Sequence, residues 1–215
     1  MKALAETSPE YPSLSTPPSP LGELQTALDG LIAENRALRE ELAQLRAFRK
    51  LAYRDPLTGL WNRRYFDERL AEEISRGRRK LDYRFSILLV DVNDLKLVND
   101  NDGHAAGDAL LRWVSRFLQS ATRAHDLVCR LGGDEFGILL PDCSPLQAHA
   151  VQARLREALA AENERHTRAV GMSLGTATCP DGGPDPEALL RAADAAMYAD
   201  KRRQKAGRPL AVCAP

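Results

Sequence analysis

Between Leu21 and Leu45 the apolar positions are spaced alternately by three and four residues. Leu21, Leu28, Asn35 and Leu42 fall at a positions of one heptad register, and Leu24, Leu31, Leu38 and Leu45 at d. A helix that packs on a globular core carries a wider apolar face than this two-row seam, so the pattern predicts pairing with another helix. Asn35 at an a position selects two strands in fixed register. Glu34 and Glu41 at g face Arg39 and Arg46 at e, which favours a parallel pair. A parallel coiled-coil stalk is therefore predicted over residues 21–52. Residues 1–20 contain Pro9, Pro12, Pro17, Pro18 and Pro20 among serines and threonines, the composition of a disordered leader.

Beyond residue 53 the periodicity changes. Continuous β-type runs over Arg84 to Val90, Leu127 to Leu131, Phe136 to Leu140 and Gly171 to Ala177 predict strands. Asn62 is placed to cap a helix carrying Phe66, Leu70 and Ile74 on one face, and a second helix is expected after Gly107 with Leu110, Leu111, Val114 and Leu118 inward. Ser144-Pro145 and Asp185-Pro186 each set a capping residue before a proline at the first helical position, opening helices of about 18 residues. Helices interspersed among mostly hairpin-linked strands define an α+β domain with a mixed, largely antiparallel central sheet flanked by helices, over 53–215.

Composition narrows the function classes. The 215 residues are 44% hydrophobic, enough for one ordinary core plus a stalk. Thirty basic and thirty acidic residues cancel, so no nucleic-acid-binding surface is expected. No apolar run approaches the roughly 20 residues of a membrane span. Cys129, Cys143, Cys179 and Cys213 are isolated from one another, without metal-ligand spacing, and read as reduced thiols of a cytoplasmic protein.

The candidate chemistry lies in Gly132-Gly133-Asp134-Glu135, set between two β-type runs. A Gly-Gly loop there predicts a hairpin, and glycine allows a ligand to approach the backbone closely. Two carboxylates beside the turn repel one another unless a cation is present. Taken alone, these four residues fit a solvated turn equally well. The run ending at Asp91 shifts the balance, because ligands gather at the carboxyl ends of core strands and a carboxylate there can meet one from the hairpin tip. Two or three carboxylates, a lysine and glycine-permitted approach suit a Mg²⁺-bound nucleoside triphosphate.

Three motifs, Asp55-Pro56-Leu57-Thr58-Gly59-Leu60-Trp61-Asn62-Arg63-Arg64, the Asp91 to Asp108 segment and Gly132 to Phe136, together resemble the GGDEF-domain diguanylate cyclases in order and spacing. The resemblance covers roughly residues 50–213 and implies a fold related to polymerase palms and nucleotidyl cyclases. It implies condensation of two GTP into cyclic di-GMP with release of pyrophosphate, by a homodimer holding one GTP per domain. Asp91, Asp134 and the carbonyl of Val92 match the family's ligands for two Mg²⁺ (or Mn²⁺) ions per half-site, while Glu135 matches a further ligand or a base for the 3′-hydroxyl. Gly132 and Gly133 border the substrate. Asn99 and Asp108 occupy the guanine-reading positions, where a carboxylate accepts from guanine N1-H and N2-H₂ but opposes the adenine N1 lone pair. Helix capping is the other role open to these two. Lys96 and Lys201 match lysines that reach the terminal phosphates. Arg123 and Asp126 form the family's inhibitory Arg-x-x-Asp site for cyclic di-GMP, with Arg154 completing it from across the subunit boundary. His104 is expected to be structural. Asn93 stands where many members carry a second aspartate and Leu95 where many carry phenylalanine, and the stretch from Lys201 to Arg208 is longer than the family's, so that Lys205 is a second candidate for the role of Lys201. Two other functions fit parts of the pattern: a non-catalytic GGDEF module that senses cyclic di-GMP or GTP, and a coiled-coil adaptor.

Overall fold

A computed structural model of the chain describes residues 20–165 and 169–207. The leader up to residue 19, Arg208 and Cys213 lie outside the described residues. The chain divides into two compact units, one ending at Phe48 and one beginning at Arg49.

Helix α1 spans Pro20–Tyr53. Its composition of Ala, Leu, Glu, Gln and Arg favours helix, and Arg36 pairs with Glu40 one turn on at 3.2 Å. Such exposed pairs each contribute only about 0.3–0.5 kcal/mol. Both leucine rows of the first unit face solvent, with Leu24 70%, Leu31 63%, Leu38 58% and Leu45 59% exposed. An isolated helix with an open leucine seam lacks the tertiary burial that stabilises most protein helices.

The second unit is built on a five-stranded sheet of order β1-β3-β4-β2-β5. Its elements after α1 are β1 (Trp61–Asn62), α2 (Arg63–Arg79), β2 (Phe85–Val92), α3 (Leu95–Asp102), α4 (His104–Ser120), β3 (Leu127–Gly132), β4 (Glu135–Leu140), α5 (Pro145–Asn163), β5 (Met172–Cys179) and α6 (Pro186–Gly207). Only β1 and β3 pair in parallel; the other contacts are antiparallel. Strand β2 lies between β4 and β5 and is buried along its whole length, the reason its sequence is a continuous apolar run rather than an alternation. Leu88, Val90 and Val92 pack with Leu111, Val114 and Leu118 of α4 and with Val151 and Leu155 of α5. Phe85, Ile87 and Leu89 pack on the opposite face with Phe66, Leu70 and Ile74 of α2 and with Leu189, Ala193 and Met197 of α6. The result is three layers with the sheet in the middle.

Caps and strands largely follow the expected positions. Asn62 caps α2 by accepting from the Tyr65 N–H, and Ser144 forms a reciprocal capping box with Gln147 at α5. Asp185 accepts from the Ala188 N–H at 2.8 Å at the start of α6. Cys129, Cys143 and Cys179 are buried free thiols, and burial raises the pKa of each.

Two expectations need correction. Helix α4 begins at His104 rather than after Gly107, and a further helix, α3, precedes it. Glycines 103 and 107 look like breakers in sequence, yet Gly107 lies inside α4 because a Cβ there would collide with the Asn99 side chain of α3. The hairpin turn is Gly133-Asp134 rather than Gly132-Gly133. Gly132 belongs to β3, paired with Glu135 after a register shift, and the positive φ of Gly132 (148°) and Gly133 (51°) permits this bulge and turn.

Candidate active site

The site forms where β2 ends beside the β3–β4 turn. In sheet register Asp91 lies opposite Glu135 of β4 and Ser173 of β5. The Val92 N–H donates to the Asp134 carbonyl at 3.0 Å, tying the strand end to the hairpin tip. The backbone then turns through a left-handed residue, Asp94 at φ 61°, into α3. Aspartate is one of the few non-glycine types that adopts this conformation at modest cost.

A pocket of about 220 Å³ opens there, lined by Val92, Asn93, Asp94, Leu95, Lys96, Asp134, Lys201, Gln204 and Lys205. Lys201 Nζ reaches Asp91 Oδ1 at 2.7 Å, so this lysine is held over the strand end rather than solvated at a helix end. Oxygen donors suit a hard divalent cation, and the carboxylates of Asp91 and Asp134 are of that kind. Among the described residues no three His, Cys, Asp or Glu side chains close on a common point. A divalent cation held by Asp91 and Asp134 would draw further ligands from backbone carbonyls, water and substrate phosphate oxygens. Glu135 is half exposed and lies 4.0 Å from Arg63 Nη2.

Asn99 and Asp108 lie on the packed pair of helices α3 and α4. Asn99 lies against the bare Cα of Gly107, the neighbour of Asp108. Neither residue caps a helix: the residues at the starts of α3 and α4 are Asp94 and Gly103, and Asp108 lies in the second turn of α4, 3.9 Å from Arg112. A larger groove of about 560 Å³, lined by Leu97, Val98, Leu110, Trp113 and Val170 among others, runs along the same helix pair but receives neither residue.

Arg123 and Asp126 close a short turn after α4. Asp126 Oδ2 accepts from the Arg123 N–H at 2.8 Å, leaving the Arg123 side chain exposed. Arg154 of α5 donates to the Ala121 carbonyl of its own chain at 3.0 Å. Arg154 thus reaches the end of α4, just before the Arg123 turn, on its own chain. The helix following the hairpin folds back over the end of α4, a proximity that spacing along the chain does not reveal.

A brace under the turn was not anticipated. Arg130 donates from Nη1 to both oxygens of Asp55 at 3.2 Å, and from Nε and Nη2 to the Gly133 carbonyl at 3.1 and 2.8 Å. Asp55 also accepts from the Thr58 N–H and hydroxyl at 2.8 and 2.7 Å. Burial opposes its charge, yet the bonds from Thr58 and Arg130 outweigh burial and hold the Asp55 carboxyl below its usual range. The Asp55-Pro56-Leu57-Thr58 motif was the available signal, but its partner stands 75 positions away.

Carboxylates at a strand end and a hairpin tip thus lie beside a lysine-lined pocket. The family model for the "Diguanylate cyclase, GGDEF domain" matches residues 52–207. The chain belongs to the GGDEF-domain diguanylate cyclase family. It is 35% identical over 201 residues to the diguanylate cyclase TpbB of Pseudomonas aeruginosa, covering 90% of this chain and 45% of that one. To the probable diguanylate cyclase DgcE of Escherichia coli it is 34% identical, covering 85% of this chain and 17% of that one. The chain therefore spans less than half the length of these relatives. Among solved structures, the coiled coil and GGDEF domain of DgcB from Caulobacter crescentus, in complex with c-di-GMP, superposes with TM-score 0.68 at 29% identity, covering 86% of this chain and 96% of that one. The isolated GGDEF domain of TpbB superposes with TM-score 0.64 at 34% identity, covering 70% and 89%. No helix among the described residues is long and apolar enough to cross a membrane.

Proposed function

We propose that this chain is a diguanylate cyclase that condenses two GTP into cyclic di-GMP and two pyrophosphates, as a dimer with one GTP per domain. The bond from the Val92 N–H to the Asp134 carbonyl, with Asp91 paired to Lys201 beside the pocket of Lys96, Lys201 and Lys205, is the observation that supports this reading. Asp91, Asp134 and the Val92 carbonyl would hold a pair of Mg²⁺ or Mn²⁺ ions. Bound there, the metal neutralises the triphosphate and eases ionisation of the 3′-hydroxyl. Lys96 and Lys201 hold the β- and γ-phosphates, so the α-phosphate is presented in line to the 3′-hydroxyl of the other nucleotide. Glu135, opposite Asp91, serves as a further ligand or accepts the hydroxyl proton. Gly132 and Gly133 let the substrate lie against the turn. The reading is tested by incubating purified protein with GTP and Mg²⁺ and resolving products chromatographically. GTP binding without any product would favour the non-catalytic sensor instead.

Asn99 and Asp108 read the guanine edge in this proposal. Asp108→Ser removes the acceptor for N1-H and N2-H₂ and the repulsion against adenine N1, and the preference for GTP over ATP is expected to fall on the order of a hundredfold. The measurement is competition between the two nucleotides, with mixed cyclic GMP–AMP as the diagnostic product. Loss of activity without any ATP incorporation would assign Asp108 to the fold instead.

Arg123 and Asp126, with Arg154 completing the group from across the subunit boundary, are proposed to bind cyclic di-GMP as a feedback inhibitor. Arginine meets guanine O6 and N7 with paired donors and also pairs with phosphate. Arg123→Ala is expected to lift product inhibition while initial rates stay unchanged. Inhibition that persists unaltered in this variant would remove the site.

The stalk is proposed to pair two chains in parallel through the Leu21 to Leu45 seam, whose leucines have no cover within their own unit. The DgcB structure, a coiled coil joined to a GGDEF domain, supports this arrangement. The reaction is proposed to take place in the cytoplasm.

A further inference from the structure

Asn93, which departs from the family pattern, and Gln204 are 111 positions apart in sequence, yet they meet in the fold. Ser173 Oγ donates to Asn93 Oδ1 at 2.8 Å, and Asn93 Nδ2 donates to Gln204 Oε1 at 3.0 Å. Gln204 Nε2 then donates to the Met172 carbonyl and to Asp200 Oδ2, both at 2.9 Å. Asp200 is buried and also receives the Leu174 N–H at 2.9 Å and Arg156 at 2.7 Å. Burial opposes its charge, but Arg156 and the Leu174 N–H hold its carboxyl below the usual range. A charged Asp200 only accepts, which sets the polarity of the whole chain. Gln204 must turn its nitrogen toward Asp200 and its oxygen toward residue 93, so residue 93 must donate. Asparagine can donate while still accepting from Ser173; ionised aspartate cannot.

The consequence is positional. Asn93 follows the metal-facing strand end by two residues from Asp91, and its own N–H is fixed on the Gly171 carbonyl at 2.8 Å. Gln204 sits between Lys201 and Lys205, which line the same pocket. We propose that Asn93 and Gln204 are a matched pair of positioning residues that lock the lysine face of α6 against the carboxylate end of β2, and so set the spacing between the metal and the triphosphate. The inference rests on the nucleotide-binding reading above and adds two residues to it.

Asn93→Asp sets a carboxylate oxygen against Gln204 Oε1. Turning the Gln204 amide would relieve that clash only by setting its oxygen against Asp200 and the Met172 carbonyl. Adding Gln204→Lys restores a donor between the new carboxylate and Asp200. Affinity for a non-hydrolysable GTP analogue and for GMP, each with Mg²⁺, is measured by calorimetry alongside thermal unfolding. N93D is expected to bind the triphosphate about tenfold more weakly with GMP affinity unchanged, and the double variant to recover most of the loss, a coupling of ordinary size for residues in contact. A lowered unfolding midpoint with triphosphate affinity unaltered would reduce the pair to a structural contact and overturn the proposal. So would a folded double variant with no recovery. A wild-type protein with no affinity for GTP would instead sink the nucleotide reading, so the two failures are told apart.

Discussion

Turnover of the Asp134→Asn variant is expected to fall about a thousandfold, because losing the proposed charged metal ligand would remove several kcal/mol of charge stabilisation from the transition state and each tenfold in rate is about 1.4 kcal/mol. The fold should be untouched. Asp134 lies in the two-residue turn, is only partly buried, and its contact with Val92 is made through its backbone carbonyl, which asparagine retains. The Arg130 brace holds the neighbouring Gly133 carbonyl and is also independent of the side chain at 134. The variant should therefore unfold at the wild-type temperature and still bind GTP, while requiring more Mg²⁺. Steady-state rates across a Mg²⁺ titration, paired with a thermal melt, give the answer. Near-normal turnover at ordinary Mg²⁺ would remove Asp134 from the metal site.

The second large effect is on the concentration dependence of the rate. In the proposed reaction one domain carries one nucleotide site and the two nucleotides meet about a twofold axis, so a monomer would bind substrate without completing the reaction. Pairing through α1 would replace a bimolecular encounter by an effective concentration on the order of millimolar. Removal of residues 1–48, the first compact unit, should leave a folded GTP-binding domain. At about micromolar protein its specific activity is expected to be 10²- to 10³-fold lower and to rise with protein concentration. The intact chain should show nearly constant specific activity above its dimerisation midpoint. Asn35→Leu, which tightens helix association but relaxes the choice of register, should lower activity without releasing monomer. A truncated domain as active as the intact chain at nanomolar concentration would show that the domains pair unaided.

Much of this protein was written in local periodicity. The heptad seam, the buried run of β2, the caps at Asn62, Ser144 and Asp185 and the acidic hairpin all follow from residue types within a few positions of one another, where propensity and burial act together. Residues 95–102 escaped because the α3 sequence Leu-Lys-Leu-Val-Asn-Asp-Asn-Asp is only eight residues long and its helix buries no residue fully, Leu95 packing only partly on the core. Gly107 misled because its use is a contact with Asn99, which exists only once α3 and α4 are packed. The family motifs named the site residues without saying what each touches. Lys201 meets Asp91 across 110 positions, Asn93 meets Gln204 across 111 and Arg130 meets Asp55 across 75. Arg154 meets the turn before Arg123 on its own chain. Periodicity reports which face of an element is buried, and by itself the sequence determined most of the elements and their buried faces. Which polar groups meet depends on how α5 and α6 fold back over the sheet and on the directions of donors and acceptors there, and this only the tertiary structure decided.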